Sequence, residues 1–432
     1  MNIEMIGLLG IVLMFILMFL RLPIAIAMAI PAFLGIYYVK GWKTLTTAIE
    51  TIIWDHSFSY TLTTIPLFIW MGELLFVSGI SNELFKMFRL WMGRLKGGLG
   101  LATIGASAIF AAASGSSLAT TGTMGAIASK EMDRFGYKDS FSAGTIVAGG
   151  TLGILIPPST AFIVYGMLTE QSIGKLLIAG IIPGIMLTGL YMLTVYISVL
   201  LKPELAPVTS SGGWKEKLLS LKSTIWILIL FTVVIGGMYI GLFSPTEAAA
   251  VGAFGAMMTA LLKGKLTLKN FVEAASNTLK TTGFLFAIIL AAFILNYFLA
   301  ITRVPMLMAN MINSLSLPNI LIFVLIICMY LILGAFMDSL AMIVITIPII
   351  LPIINAMDMD LIWFGVIIVL VIELGLITPP VGMNCYVLKG VSDYSLETIF
   401  KGAARFIIPI VVMIFILYFF PQIALYLPSK MW

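Results

Sequence analysis

The sequence predicts an all-α polytopic membrane protein, and its composition is the first reason. Of the 432 residues, 61% are hydrophobic and 10% are charged, whereas a soluble domain has roughly 45–50% apolar and roughly 25% charged residues. The second reason is that the apolar runs, such as residues 8–20 and 225–242, are continuous. A transmembrane barrel would show alternating segments of ~10 residues, so helices remain as the way to pair the backbone inside a bilayer. A soluble enzyme is excluded, and the scattered basic residues do not favour nucleic acid binding.

Eight continuous stretches are predicted to cross the membrane, because about 20 apolar residues in a helix span a ~30 Å hydrocarbon core. No basic residue precedes Arg21, so the first stretch is expected to remain as a helix and not to be a signal peptide. The predicted crossings are residues 5–20, 24–40, 60–78, 174–201, 222–241, 245–262, 280–300 and 403–427.

Two further apolar stretches have a polar, glycine-containing interruption, and each is predicted to be a re-entrant helical hairpin. In residues 98–130 the interruption is Ser-rich at 114–117, and in residues 318–356 it runs from Gly334 to Ser339. A hairpin whose polar tip stops inside the membrane explains why both stretches are apolar on either side of the interruption.

Two other stretches are predicted to be broken transmembrane helices. Residues 140–168 contain Pro157-Pro158 and residues 360–388 contain Pro379-Pro380 near their middles. Proline removes a backbone donor and clashes with the preceding turn, so a helix breaks there.

The distribution of basic residues predicts the orientation, because cytoplasmic loops are enriched in Lys and Arg. When both hairpins return to their side of entry, only five of the 24 basic residues fall on one side, namely Lys40, Lys43, Lys175, Arg303 and Lys430. The other side is therefore cytoplasmic, and both termini are expected outside the cytoplasm.

An internal repeat relates the two halves of the chain. At an offset of 222 residues, 116–119 align with 338–341 and 153–158 align with 375–380. The topology makes the two units inverted, which is typical of secondary transporters with sites where paired broken helices meet. The expected organisation is N-terminal scaffold helices at 1–59, a first repeat at 60–201, a cytoplasmic linker at 202–222, scaffold helices at 223–274 and a second repeat at 275–432.

The breaks and tips predict one Na⁺ site in each half, and thus two or more ions. A small hard cation takes several oxygen ligands, which unpaired carbonyls and Ser or Thr hydroxyls supply. The first site is expected at Ser114, Gly115, Ser116, Ser117, Thr151, Gly153 and Pro157. The second is expected at Gly334, Asp338, Ser339, Gly375, Thr378 and Pro379.

Four acidic residues lie in or near apolar runs. An intramembrane carboxylate is costly and indicates function, so Asp338 is expected to bind the cation, although it could also cap the returning hairpin helix. Glu247 follows Ser244-Pro245 at a helix start, which favours capping. Whether Glu73 and Glu373 pair with each other or carry protons is left open by the sequence.

A substrate anion is predicted near the first tip. Free N–H groups and the helix dipole favour an anion at a helix N-terminus, and the Ser-rich tip precedes one. The residues expected to contact the substrate are Ser116, Ser117, Thr120, Pro158 and Ser159. Since no Walker A loop or nucleophile elbow occurs, an ion gradient is expected to drive transport.

Four stretches together resemble the large membrane subunit of tripartite ATP-independent periplasmic (TRAP) transporters, of the ion-transporter superfamily. They are residues 113–120, 149–159, 244–253 and 375–382, and they extend over most of the chain in the order of the family. The resemblance implies a Na⁺-driven importer of organic acids, such as C4-dicarboxylates or sialic acid, in the bacterial inner membrane. It also implies an elevator mechanism in which residues 98–168 and 318–388 move against a scaffold.

The resemblance implies two protein partners as well. One is a periplasmic binding protein that delivers the substrate, and the other is a small four-helix membrane subunit, expected on a separate chain because this chain begins at the large subunit's first helix. A self-sufficient carboxylate/Na⁺ symporter is the nearest alternative. An intramembrane enzyme using Asp338 and Glu373, and a passive channel, are the others.

Overall fold

The fold is helical throughout the part of the chain that the computed structural model describes, which is residues 2–208, 212–315, 317–334 and 336–431. No strand occurs in these residues. The α-helices are α1 Ile3–Phe19, α2 Ile24–Ser57, α3 Thr64–Val77, α4 Ile80–Met92, α5 Gly98–Ser114, α6 Ser117–Arg134, α7 Asp139–Thr151, α8 Thr160–Thr169, α9 Ile173–Ala179, α10 Ile181–Leu201, α11 Trp214–Tyr239, α12 Pro245–Leu262, α13 Leu268–Ile301, α14 Val304–Leu315, α15 Asn319–Gly334, α16 Ser339–Ala356, α17 Leu361–Ile377, α18 Met383–Val391, α19 Leu396–Phe419 and α20 Gln422–Ser429.

Eight helical segments of the described chain are long and apolar enough to cross a bilayer. Seven of them coincide with predicted crossings, and the eighth, Ser339–Ala356, is the second arm of the second predicted hairpin. The first predicted crossing corresponds to α1, which is apolar but shorter. The protein is therefore a multi-pass membrane protein.

Both predicted hairpins have a helix, a short turn and a second helix, and both predicted broken helices are interrupted at their Pro-Pro pair. The first hairpin is α5 with α6, and the second is α15 with α16. The first broken helix is α7 with α8, and the second is α17 with α18. Both Pro157-Pro158 and Pro379-Pro380 are joined by cis peptide bonds.

The hairpins and broken helices of the two halves exchange partners. The helix before each Pro-Pro pair packs on the hairpin of the same half. Thus α7 contacts α5 and α6, and α17 contacts α15. The helix after each Pro-Pro pair packs on the hairpin of the other half, since α8 contacts α16 and α18 contacts α6. A second group of helices lies beside them, in which α3 packs on α12 and α13, and α2 packs on α1 and α13.

Small residues let α7 and α19 approach very closely. A Cβ atom built on Gly402 would lie 1.9 Å from the carbonyl oxygen of Ser140 and 2.7 Å from the backbone nitrogen of Gly144. Close approach through small residues is a common basis of helix packing in membranes, where lipid removes the hydrophobic driving force between helices.

The predicted cap at Glu247 is confirmed. The Ser244 N–H donates to Glu247 Oε2 over 2.8 Å, and the Glu247 N–H donates to Ser244 Oγ over 3.3 Å, which forms a capping box at the start of α12. In the first turn of this helix, the hydroxyls of Thr246 and Thr64 are hydrogen-bonded over 2.7 Å. The cap thus orients a residue that joins α12 to α3.

The helix α11 begins at Trp214, inside the segment predicted as a cytoplasmic linker at 202–222. Its first turn carries Lys215, Glu216 and Lys217 and is too polar to be recognised by hydropathy. Lys217 Nζ lies 5.4 Å from the ring centroid of Trp214 and 5.7 Å from that of Trp91, so cation–π contacts stabilise this start. Residues 209–211 of the linker lie outside the described residues.

We predict that Gly402→Ala lowers the thermal unfolding midpoint of the purified protein clearly, because its Cβ would force α7 and α19 apart. Overpacking of this kind typically costs about 1–3 kcal/mol. The control is Gly390→Ala, since a Cβ on Gly390 meets nothing within 4 Å. Equal midpoints for the two variants would contradict the close packing.

Candidate functional site

The first hairpin turns through a two-residue tip made of Gly115 and Ser116. Gly115 has a φ of 60°, which a glycine adopts without steric cost. Ser116 is extended and caps α6, where its Oγ accepts the Ala119 N–H over 3.3 Å. The Ser114 and Thr120 hydroxyls are hydrogen-bonded over 2.7 Å and close the turn. The Thr120 hydroxyl also donates to the Ser116 carbonyl over 2.8 Å.

The first broken helix packs directly on this tip. The Thr160 hydroxyl, at the start of α8, donates to the Gly115 carbonyl over 3.0 Å. A Cβ on Gly153 would lie 2.4 Å from the Ser116 carbonyl oxygen, so only glycine permits this approach. The tip and the break therefore meet through backbone atoms.

Thr151 and Pro157, two predicted ligands of the first site, also contact other parts of the fold. The Thr151 hydroxyl donates to the Ala148 carbonyl and is hydrogen-bonded to the Tyr191 hydroxyl of α10 over 2.9 Å. Pro157 lines an apolar cavity beside α10 and α11. Pro158 is the proline whose carbonyl oxygen faces the tip, because a Cβ on Gly115 would lie 2.6 Å from it.

The second tip repeats the close approach with two glycines. A Cβ on Gly334, the last residue of α15, would lie 2.8 Å from the Cα of Gly375, and the reverse distance is the same. Gly375 lies in α17 at the position that the repeat relates to Gly153. Ala335, in the predicted tip, lies outside the described residues.

Asp338 caps α16, as the alternative in the sequence analysis allowed. Its Oδ1 accepts the Ala341 N–H over 3.3 Å. This is the same role that Ser116 has in α6, at the equivalent position of the repeat. The two tips thus differ in charge, because one cap is a neutral hydroxyl and the other is a carboxylate.

Of the remaining residues predicted at the second site, Thr378 and Pro379 follow α17 and Ser339 begins α16. Thr378 ends the helix, and its hydroxyl donates to the Leu374 carbonyl over 2.6 Å. Ser339 is buried, and Pro379 begins the break. No group of three or more His, Cys, Asp or Glu residues that could hold a metal occurs in the described chain. A cation at either tip must therefore use mainly hydroxyl and carbonyl oxygens.

A cavity of about 640 Å³ opens beside the first tip. Ser114, Ser116 and Thr160 form one wall, and the other walls come from α3, α4, α6, α13 and α16. Of the predicted substrate contacts, Ser116 lines this cavity, whereas Ser117, Thr120 and Ser159 are buried. Pro158 lines a separate small space.

Glu73 and Glu373 are far from equivalent, and they do not pair with each other. Glu73 lines the cavity and accepts a 3.2 Å hydrogen bond from the Asn277 side chain. Glu373 is completely buried in α17, and neither carboxyl oxygen has a hydrogen-bond partner among the described residues.

Thr160, Asn277 and Tyr191 contact the site but were not identified from the sequence. Asn277 is a polar residue just before an apolar run, which is a usable signal, yet its partner Glu73 is 204 positions away. Thr160 follows the Pro-Pro-Ser sequence and could have been recognised as the first residue of the second half-helix. Nothing in the sequence relates Tyr191 to Thr151.

The chain matches a family model along nearly its whole length. The family is described as "Tripartite ATP-independent periplasmic transporter, DctM component", and the match covers residues 11–423. A C4-dicarboxylate TRAP transporter large permease protein from Pseudomonas aeruginosa is 35% identical, over 87% of this chain and 88% of that protein.

Two longer relatives have other named substrates. A sialic acid TRAP transporter permease protein from Haemophilus influenzae is 32% identical over 96% of this chain and 67% of that protein. An isethionate TRAP transporter permease protein, DctMQ, from Oleidesulfovibrio alaskensis is 33% identical over 94% of this chain and 63% of that protein.

The fold also resembles that of solved transporters. The YdaH transporter of Alcanivorax borkumensis superposes with a TM-score of 0.63 at 12% identity, covering 90% of this chain and 88% of that one. The MtrF protein of Neisseria gonorrhoeae superposes with a TM-score of 0.57 at 12% identity, covering 96% and 95%. At this identity the likeness concerns the fold alone.

We predict that Thr160→Ala lowers the thermal unfolding midpoint more than Thr160→Ser does. Serine keeps the hydroxyl that donates to the Gly115 carbonyl, whereas alanine removes a hydrogen bond that contributes about 0.5–1.5 kcal/mol. The two midpoints, measured on purified protein, should therefore differ. Identical midpoints would mean that this bond does not hold α8 on the tip.

Proposed function

The chain belongs to the DctM component family of tripartite ATP-independent periplasmic transporters, and on this premise we propose that it imports an organic acid anion together with Na⁺ across the bacterial inner membrane. The family membership itself supports secondary transport of an organic acid. The Na⁺ coupling, the moving elements and the partners are the proposed refinements.

One observation carries the Na⁺ coupling, namely that both hairpin tips pack by backbone contact on a broken helix. Gly153 meets the Ser116 carbonyl, and Gly375 meets Gly334. Helix ends at such breaks leave carbonyl oxygens without hydrogen-bond partners, and these oxygens can coordinate a cation without losing a proton. The proposed sites are those predicted from the sequence, with the Pro158 carbonyl in place of Pro157 in the first.

The substrate carboxylate is proposed to bind on the cavity side of the first tip. Ser116 lies there, directly before the N-terminus of α6, and Thr160 begins α8. Both helix N-termini favour an anion through the positive end of the helix dipole. Na⁺ bound at the tip would add positive charge and order the turn, so anion and cation would bind cooperatively.

The proposed elevator moves the hairpins and broken helices against the group formed by α2, α3, α12 and α13. At Gly72 of α3 a Cβ would lie 2.7 Å from the Ala113 carbonyl oxygen beside the first tip. A backbone surface without side chains at this point favours sliding over interlocked packing. The cavity lies at the same boundary, between α3, α13 and the tip.

The proposed partners are a periplasmic binding protein, which delivers the acid, and a small membrane subunit. The word "tripartite" in the family description supports both. The isethionate relative is longer than the matched part, which fits a small subunit fused to the permease in that protein. Both termini are proposed to face the periplasm, on the basis of the distribution of the basic residues.

We predict that Asp338→Asn lowers Na⁺-driven acid uptake into vesicles by at least about tenfold, since cation affinity depends strongly on ligand charge. Asparagine caps a helix as well as aspartate does, so the variant removes the charge and keeps the cap. Ser116→Ala should have the same effect at the first tip. Uptake is measured with and without an imposed Na⁺ gradient, with binding protein and small subunit present.

Asp360→Asn is the matched control, because Asp360 also caps a helix, with Oδ1 accepting the Ile362 and Trp363 N–H groups. It should keep wild-type uptake. Unchanged uptake and Na⁺ dependence in Asp338→Asn and Ser116→Ala would contradict the ion sites. Full uptake by the purified chain alone would replace the tripartite proposal by a self-sufficient symporter.

A further inference from the structure

A carboxylate in the second broken helix, Glu373, belongs to neither tip site. Its side chain is completely buried, and neither of its carboxyl oxygens has a hydrogen-bond partner among the described residues. A charge removed from water destabilises a fold strongly unless something compensates for it, and buried charges in proteins are paired or coordinate metal ions. The ion pairs of the described chain do not include Glu373.

Glu373 points away from the second tip. Gly375 of the same helix faces that tip, since its Cβ would lie 2.8 Å from the Cα of Gly334. Successive residues of an α-helix are about 100° apart around the helix axis, so a side chain two positions earlier lies about 200° away, on nearly the opposite face. The Glu373 carboxylate is therefore separate from the second predicted ion site.

The first broken helix has the same arrangement at the equivalent position. Thr151 and Glu373 are 222 residues apart, which is the offset that relates the two halves. Gly153 faces the first tip, whereas the Thr151 hydroxyl is hydrogen-bonded to the Tyr191 hydroxyl of α10 over 2.9 Å. Glu373 lies within electrostatic range of the same tyrosine, and α17 packs on α7. The two breaks thus bring their equivalent side chains to one buried hydroxyl.

The hydrogen bonds of this cluster leave the Tyr191 oxygen available as an acceptor. The Thr151 hydroxyl donates its hydrogen to the Ala148 carbonyl over 2.8 Å, so it accepts in its bond with Tyr191. The Tyr191 hydroxyl is then the donor, and its own oxygen can still accept. The tyrosine is fully buried, and its ring packs edge-on against Phe406 with 5.6 Å between the centroids. Its oxygen is therefore held in a fixed position.

We propose that the Glu373 carboxylate and the Tyr191 oxygen bind a further Na⁺ between the two broken helices, in addition to the ions at the two tips. Glu373 supplies the charge, Tyr191 supplies a neutral oxygen, and Thr151 positions Tyr191. Oxygen ligands suit a hard cation, and a monovalent ion makes the buried pair neutral, whereas a divalent ion would leave one charge uncompensated. This ion would join α17 of the second half to α10 of the first.

The experiment counts the Na⁺ ions bound per purified chain, by equilibrium dialysis with radioactive sodium. It also follows the thermal unfolding midpoint in sodium chloride and in choline chloride, because a bound ion stabilises the folded state. We expect Glu373→Gln to bind one Na⁺ fewer than the unmodified chain and to show a smaller rise of the midpoint in Na⁺. Glu273→Gln is the control, because Glu273 is an exposed carboxylate of α13, and both readouts should stay unchanged.

A second variant tests the neutral ligand. Tyr191→Phe keeps the ring that packs on Phe406 and removes the oxygen. We expect it to weaken the affinity for this one Na⁺ by at least about fivefold, since affinity depends on the number of oxygen ligands. An unchanged affinity for every bound ion would overturn the role of Tyr191.

Glutamine has the shape of a protonated glutamate, so Glu373→Gln also tests the main alternative. Equal Na⁺ counts and equal midpoints in both salts, for this variant and the unmodified chain, would show that a proton neutralises Glu373 and would overturn the inference.

The double variant Ser116→Ala/Asp338→Asn separates this site from the proposed function. It should keep one Na⁺, which adding Glu373→Gln removes. A folded double variant that binds no Na⁺ would also overturn the inference. If the double variant binds as many ions as the unmodified chain while Glu373→Gln binds one fewer, the tip sites fail and the Glu373 site stands.

Discussion

Breaking a helix inside a membrane leaves backbone N–H and C=O groups without partners, and this constraint shapes the rest of the molecule. The hydrocarbon core contains no water that could form hydrogen bonds with these groups. Each break must therefore be buried against protein or bind a ligand. Here each break is packed on a hairpin tip, through Gly153 on the Ser116 carbonyl and through Gly375 on Gly334. The Thr160 hydroxyl pairs with the Gly115 carbonyl across the first contact.

The same constraint explains why glycines and hydroxyl residues concentrate at the two tips. A backbone carbonyl that approaches another backbone leaves no room for a side chain, and a short hydroxyl side chain supplies a donor without filling the space. Such a site has several oxygen atoms at fixed positions and little net charge. Asp338 is the exception, and it makes the second tip more negative than the first.

Charged residues are scarce, so each one at membrane depth has a large effect on the site around it. Glu73 is the one charged residue among the described residues that line the cavity, and no basic residue of that lining compensates it. Glu247 instead caps α12, and it thereby stabilises the contact of Thr246 with α3. Two carboxylates in similar apolar sequence thus have unrelated contacts, which depend on what their helices face.

By itself the sequence determined the helical class, the positions of the long apolar helices, both Pro-Pro breaks and the cap at Glu247, because hydropathy, proline and capping residues act over a few neighbouring positions. Only the tertiary structure decided that the Pro158 carbonyl faces the tip instead of Pro157, that Thr151 is held by Tyr191, and that Asn277 binds Glu73. It also showed that α11 starts at Trp214, where contacts with Trp91 stabilise turns too polar to stand out by hydropathy. These features depend on the directions of carbonyls and on pairs of residues distant in the chain, which local sequence does not encode.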